Sequence, residues 1–230
     1  MTISCIGTGA MGGAIMRAVC ALTSKFDVSQ IKVTDKMPQR VATAFGNLSD
    51  QLLGAEYTFI AYLGSQSVNG TNHAVLAEQL VTTGKDTKNV VVIIFNEKPG
   101  QIDLTLVNIE RVIESGGDLG GIVVDVKDID DEAADALNTV LNGYVGMKIT
   151  PVTQLGTQVT KGCNYILFGT AEPVVQDPKQ KAVIIIVNKM TGELSISDLL
   201  GTKTEAMALG YAFSWLKKQN TSLGTPVEEW

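Results

Sequence analysis

Apolar, β-branched runs alternate over most of this chain with stretches whose apolar positions recur at spacings of three and four. That is the pattern of strand–helix units. Ile3 to Ile6 reads as a first strand followed at once by glycines. A helix is expected from about Met11 to Leu22, with Met11, Ile15, Ala18, Val19 and Leu22 on one face. Gln30 to Thr34 reads as the second strand, and Pro38 opens a short helix through about Phe45, since proline suits the first helical turn. Tyr57 to Leu63 gives a third strand, a loop carrying Gly64 and Gly70 follows, and Asn72 to Val81 reads as helical. Asn89 to Phe95 is apolar and β-branched throughout, as a strand covered on both faces should be. A helix over Asp103 to Glu114, a strand over Gly121 to Val126 and a helix over Asp131 to Leu141 follow, the last with acids at the positive end of its dipole.

Beyond residue 150 the pattern changes. Met147 to Val152, Asn164 to Phe168 and Lys181 to Val187 read as strands, with turns near Pro178 and Thr191-Gly192, and a final helix is expected from Ser197 to Lys218. No fixed-period repeat and no low-complexity segment stands out. The expected architecture is α/β: a doubly wound, mainly parallel, Rossmann-like sheet over residues 1–150, with a smaller strand-rich part over 151–230 that ends in a helix or continues the first sheet.

Composition narrows the function classes. Of 230 residues, 45% are hydrophobic and 18% charged, which excludes a disordered chain. Eighteen basic against twenty-four acidic residues give a net charge of −6, so the basic footprint of a nucleic-acid binder is missing. No apolar run reaches the ~18 to 20 residues that span a bilayer. The first strand begins at Thr2, which leaves no room for a signal peptide, so a cytoplasmic protein is expected. Cys5, Cys20 and Cys163 share no metal-ligand or disulfide spacing, and the single histidine, His73, reads as a surface or helix-terminal residue. The acids Asp125, Asp128, Asp130, Asp131 and Glu132 read as helix capping rather than a metal cluster, because the helix dipole accounts for them.

The sharpest motif is Gly7-Thr8-Gly9-Ala10-Met11-Gly12, placed after the first strand and opening the first helix. Gly7 permits the tight turn, Gly9 lets the backbone approach a pyrophosphate, and Gly12 lets helix and strand pack closely. The diphosphate then rests on the unpaired N–H groups of the helix N-terminus. Asp35, at the end of the second strand, is placed for a ribose hydroxyl pair, whereas Lys36 and Arg40 suit a 2′-phosphate, so NAD and NADP both remain open. Gly64 and Ser65, after the third strand, lie where a doubly wound sheet binds its ligand.

The stretches Ile6–Ile15 and Gln30–Val41 resemble the N-terminal part of pyrroline-5-carboxylate reductases and their NAD(P)-binding relatives, a likeness that extends more weakly to Leu63. The resemblance implies an NAD(P)-dependent oxidoreductase acting on a small imine or carbonyl substrate. By it, Gly7, Gly9, Met11 and Gly12 would line the dinucleotide, with Asp35 and Lys36 at the adenosine ribose. The family's substrate segment has only a partial counterpart in Thr160–Tyr165, where Thr160 and Tyr165 are the candidate catalytic residues. Two other readings stand beside it. One is a tubulin-like GTP-binding protein that polymerises, with Gly64–Thr71 as its phosphate loop. The other is a non-catalytic Rossmann module for nucleotide binding or assembly, a candidate homo-oligomer.

Overall fold

The computed structural model describes residues 33–200, apart from 69, 85, 117–119 and 177. The elements expected before Val33, with the Gly7–Gly12 loop, and most of the final helix lie outside the described residues. Helices α1 (Gln39–Gly46) and α2 (Leu48–Gln51) precede strands β1 (Ala55–Val68), β2 (Gly70–Val81), β3 (Thr87–Glu97) and β4 (Thr105–Glu114). Then come β5 (Ile122–Lys127), α3 (Asp131–Leu141), β6 (Met147–Thr160), β7 (Gly162–Pro173), β8 (Lys181–Asn188) and β9 (Leu194–Asp198).

The strands form two sheets, ordered β1-β2-β3-β4 and β5-β6-β7-β8-β9, and every pairing is antiparallel. The expected doubly wound, mainly parallel Rossmann-like sheet is overturned. The ligand crevice at the carboxyl ends of parallel strands, on which the Rossmann nucleotide-binding reading relied, is absent from the described residues. Three expected elements change type for identifiable reasons. Asn72–Val81 is strand β2, not a helix. Both of its faces are covered, so period-two alternation vanishes, and its Ala, Leu, Glu and Gln content favours helix only as a weak prior. Asp103–Glu114 contains strand β4. A register shift between the pairs Ile94↔Asn108 and Phe95↔Leu106 brings Leu106 and Ile109 to the same cluster, which imitates a helical spacing. Gly64–Gly70 is the outer half of a hairpin rather than a phosphate loop. The expected boundary at residue 150 falls inside β6.

Burial arranges these elements as four layers. One face of each sheet meets the other sheet: Ala61, Leu63, Ala74, Leu76, Val90 and Val92 pack with Val124, Leu155, Ile166, Phe168, Ala182 and Ile184. The opposite face of the first sheet, with Tyr62, Val75, Ala77, Val91, Ile93 and Phe95, lies under Val41, Phe45 and Leu48 of α1 and α2. The opposite face of the second, with Tyr165, Leu167, Val183, Ile185 and Val187, lies under Ala133, Ala136 and Leu137 of α3. The order is therefore helix, sheet, sheet, helix. Unbroken apolar runs such as Val90–Phe95 and Ala182–Val187 follow directly, since both faces of these strands are dry.

The two halves are copies at a constant offset of 92 residues (155 − 63 = 92). Leu63, Gly64, Gln66, Gly70, Asn72, Ile93, Asn96 and Gly100 recur as Leu155, Gly156, Gln158, Gly162, Asn164, Ile185, Asn188 and Gly192. The register shifts at Phe59/Ala61 and Tyr62/Gly64 recur at Pro151/Thr153 and Gln154/Gly156. Thr34 pairs with Tyr62 as β5 pairs with β6 near Gln154. The sequence expectation of no repeat is corrected by these matching registers, since only scattered residues outside the hairpins are identical.

The β1–β2 hairpin closes tightly because Gly70 adopts φ +103°, and a Cβ there would strike the Glu97 carbonyl of β3. Gly84 has a similar φ of +94° with open space around it. Gly70→Ala should therefore lower unfolding stability by roughly 3 kcal/mol, and Gly84→Ala by about 1 kcal/mol. Urea denaturation of the two variants checks this, and equal losses would remove the close approach as a cause.

Candidate functional site: two hairpin ends

Each copy carries a polar row where its strands turn. In the second, Gln158, Asn164 and Asn188 lie opposite one another on β6, β7 and β8. Asn188 Nδ2 donates to Asn164 Oδ1 (2.7 Å), Asn164 Nδ2 to Gln158 Oε1 (3.1 Å) and Gln158 Nε2 to the Gly120 carbonyl (2.9 Å). Asn188 Nδ2 also donates to Thr160 Oγ1 (3.2 Å), and its Oδ1 accepts from the Met190 and Thr191 backbone amides (2.9 and 2.8 Å). One buried side chain thus ties the β6–β7 hairpin to the β8–β9 turn. Outside this polar row, Val159 and Met190 are exposed to 68% and 69%. The first copy repeats the row as Gln66, Asn72 and Asn96, with Asn96 Nδ2 donating to Asn72 Oδ1 at 2.7 Å.

Behind each row a strap joins the helix to the end of the central strand. In the first copy the Tyr62 hydroxyl meets His73 Nδ1 at 2.8 Å, His73 Nε2 meets Glu97 Oε2 at 3.2 Å, and Arg40 of α1 pairs with Glu97. Arg40 also donates to the Gln101 and Ile102 carbonyls, both at 2.8 Å. Because a carboxylate only accepts, Nε2 carries the proton, and Nδ1 accepts from tyrosine. His73 is thus a buried, neutral strand residue, contrary to the surface position expected of it. Burial, and secondarily the Arg40 charge, hold its pKa below 6.5, and burial pushes the Tyr62 hydroxyl up.

The second copy has Tyr165 where the first has His73, Glu132 in place of Arg40, and Lys189 in place of Glu97. The Tyr165 hydroxyl donates to Glu132 Oε2 (2.7 Å), and Lys189 Nζ lies 3.7 Å from Glu132. The ion pair is retained with its charges exchanged. Both copies thus keep a charged contact between helix and strand, although the residues that make it differ.

Of the sequence-derived site residues that are described, Arg40, Gly64 and Ser65 lie around the Tyr62–His73–Glu97 strap of the first copy, whereas Thr160 and Tyr165 belong to the second. Gly7, Thr8, Gly9, Ala10, Met11 and Gly12 lie outside the described residues. Asp35 and Lys36 are exposed beside Thr34, whose hydroxyl donates to Asp35 Oδ1 (3.2 Å) and accepts from the Lys36 amide (3.1 Å). Arg40 is engaged by Glu97 and the loop carbonyls. Gly64 is buried within β1, and Ser65 follows it, hydrogen-bonded to Tyr62. Thr160 sits exposed at the second hairpin end, and Tyr165 is buried under α3 with its hydroxyl on Glu132, a hydrogen bond that, with burial, holds the phenol well above its ordinary value. Asp130 caps α3 by accepting from the Ala133 amide at 2.8 Å, which holds its carboxyl below the usual range. Among the described residues no group of three His, Cys, Asp or Glu side chains could hold a metal ion, and no helix is long and apolar enough to cross a membrane. The sequence alone points to the loop Asn96–Gly100 as a turn at the ligand edge and to the segment Thr160–Tyr165, but not to the row that Asn72, Asn96, Asn164 and Asn188 form. The signal was present: Leu-Gly-Ser-Gln at 63–66 with Gly70 and Asn72 matches Leu-Gly-Thr-Gln at 155–158 with Gly162 and Asn164.

Two outcomes follow. His73 binds its proton less readily in the folded chain, so between pH 6.5 and its lowered folded value the unfolded state takes up more protons. Stability present above pH 6.5 is lost as the pH falls through that window, and His73→Gln should flatten this part of the urea-midpoint profile. Separately, Arg40→Glu and Glu97→Lys should each destabilise by about 1 kcal/mol. The double variant, which carries the second copy's charges, should lose less than the two together, read by a thermal-melt double-mutant cycle.

No protein-family model matches this chain, and no curated protein or solved structure matches it.

Proposed function

We propose that this chain is a non-enzymatic binding module that engages a partner protein through the hairpin ends of its two copies. The observation that carries this reading is Met190 and Val159, large apolar side chains held in water on a backbone locked by Asn188. A side chain on a fixed backbone loses little conformational entropy on docking, so its burial converts more fully into affinity. Scattered apolar residues on a surface need no explanation. Two of them on adjacent turns, with Gly162 so close that a Cβ there would press on the Met190 side chain, form a shaped surface. The straps serve this reading by fixing each helix to the end that carries the turns.

The expectation of an NAD(P)-dependent oxidoreductase rests on Gly7–Gly12, which lie outside the described residues, and on Asp35, Lys36, Arg40, Gly64 and Ser65, of which Arg40 is engaged by Glu97. Val159→Asp with Met190→Asp tests the proposal. The wild-type chain, immobilised, should retain a reproducible protein set that the double variant loses while melting at the same temperature. Retention of the same set by both proteins would refute it. Enhanced NADPH fluorescence on adding the chain would instead favour the oxidoreductase.

A further inference from the structure

The two hairpin ends differ at one buried atom. Asn188 Oδ1 accepts two backbone amides from the β8–β9 turn, at Met190 and Thr191. Its counterpart, Asn96 Oδ1, is buried with no hydrogen-bond partner, on a residue only 7% exposed. The cause is legible in the loop. The position matching Thr191 is Pro99, which has no N–H to give. Lys98 to Gln101 close a separate turn, with the Gln101 amide on the Lys98 carbonyl at 3.2 Å, and Arg40 holds the following carbonyls of Gln101 and Ile102. An acceptor left without a donor in a dry place costs about 1–3 kcal/mol, which a donor brought from outside would recover.

We propose that the first hairpin end docks the main chain of a partner polypeptide, with one of its backbone N–H groups donating to Asn96 Oδ1. This rests on the binding-module reading and names what its first end recognises. The second copy defines the donor, because there the same oxygen is satisfied by main-chain amides. A cation is a poor occupant, since the neighbouring Glu97 carboxylate is already ion-paired with Arg40 and accepts a hydrogen bond from the neutral His73. An anion would face an acceptor oxygen and be repelled. Ile102, 88% exposed on the same loop, offers an apolar surface for a side chain flanking the donated amide. The loop carrying Pro99 must shift to admit the donor; Pro99, Gly100, Gln101 and Ile102 are all exposed, and the shift exchanges the Arg40 hydrogen bonds to the Gln101 and Ile102 carbonyls for water.

The test uses two small amides and the full chain. N-Methylacetamide, a single main-chain unit, should move the Asn96 side-chain amide resonances in a saturable manner, whereas N,N-dimethylacetamide, with no N–H, should leave them in place. Pro99→Thr restores the donor that the second copy has at Thr191. It should satisfy Asn96 from within and abolish the response to N-methylacetamide. Equal responses to both amides, no response to either, or a response that persists in Pro99→Thr would each overturn the proposal. Because Val159 and Met190 belong to the other end, such a failure leaves the retention experiment standing, and the two ideas fall separately.

Discussion

Everything else in the molecule depends on Val90, Val92, Ala182 and Ile184 being dry on the face where the two sheets meet. A central strand that is apolar on both faces needs two covers, and one helix supplies only one. Each copy covers its second face with the other copy. Full burial of a Val or Ile side chain contributes ~1.5 to 3 kcal/mol, and the shared layer collects many of them from both sheets. Neither copy could keep its sheet with that face in water, which explains why the chain holds the pair in one polypeptide joined by a short connection at 115–121.

Once the sheets are stacked, chain direction decides where the hairpin ends go. β4 starts opposite Asn96, near the first hairpin end, and finishes at Glu114 opposite Asn89, remote from it. β5 begins at Ile122 opposite Gln158, close to the second hairpin end, and Gly116 pairs with Ile122 across the short connection. The second hairpin end therefore lies beside the far end of the first sheet. The two hairpin ends are separate, so each was able to diverge alone. What stayed constant is the asparagine row that links the strands, and what changed is the donor set around it and the sign of the charges in the strap.

How much of this was legible in the sequence depends on how many faces of an element are covered. Strands β3 and β8 were read from their unbroken apolar runs, and α3 from its acids and its spacing of three and four, because these signals survive double coverage. The same coverage hid β2, whose Ala74, Leu76, Val75 and Ala77 are all buried and so show no alternation. It also turned a correct inference into a wrong one: an unbroken apolar strand means two covered faces, which parallel sheets share with a stacked antiparallel pair. The candidate site escaped for a different reason. Asparagines and glutamines in a hairpin are ordinary as single residues, and only the spacing of 92 residues gives Gln66, Asn72 and Asn96 a meaning.

That spacing also explains why the copies can differ in chemistry without differing in fold. A strap needs one donor and one acceptor between helix and strand, and Arg40–Glu97 or Glu132–Lys189 meets the need equally. Exchanged signs carry a further consequence during folding. Were α1 to settle on the second sheet, Arg40 would face Lys189, and were α3 to settle on the first, Glu132 would face Glu97. Both mispairings juxtapose like charges at a largely exposed position, where the repulsion is modest and screened by salt. The copies are alike enough to share a backbone, and the reversed pair gives each helix a charge that matches its own sheet and not the other.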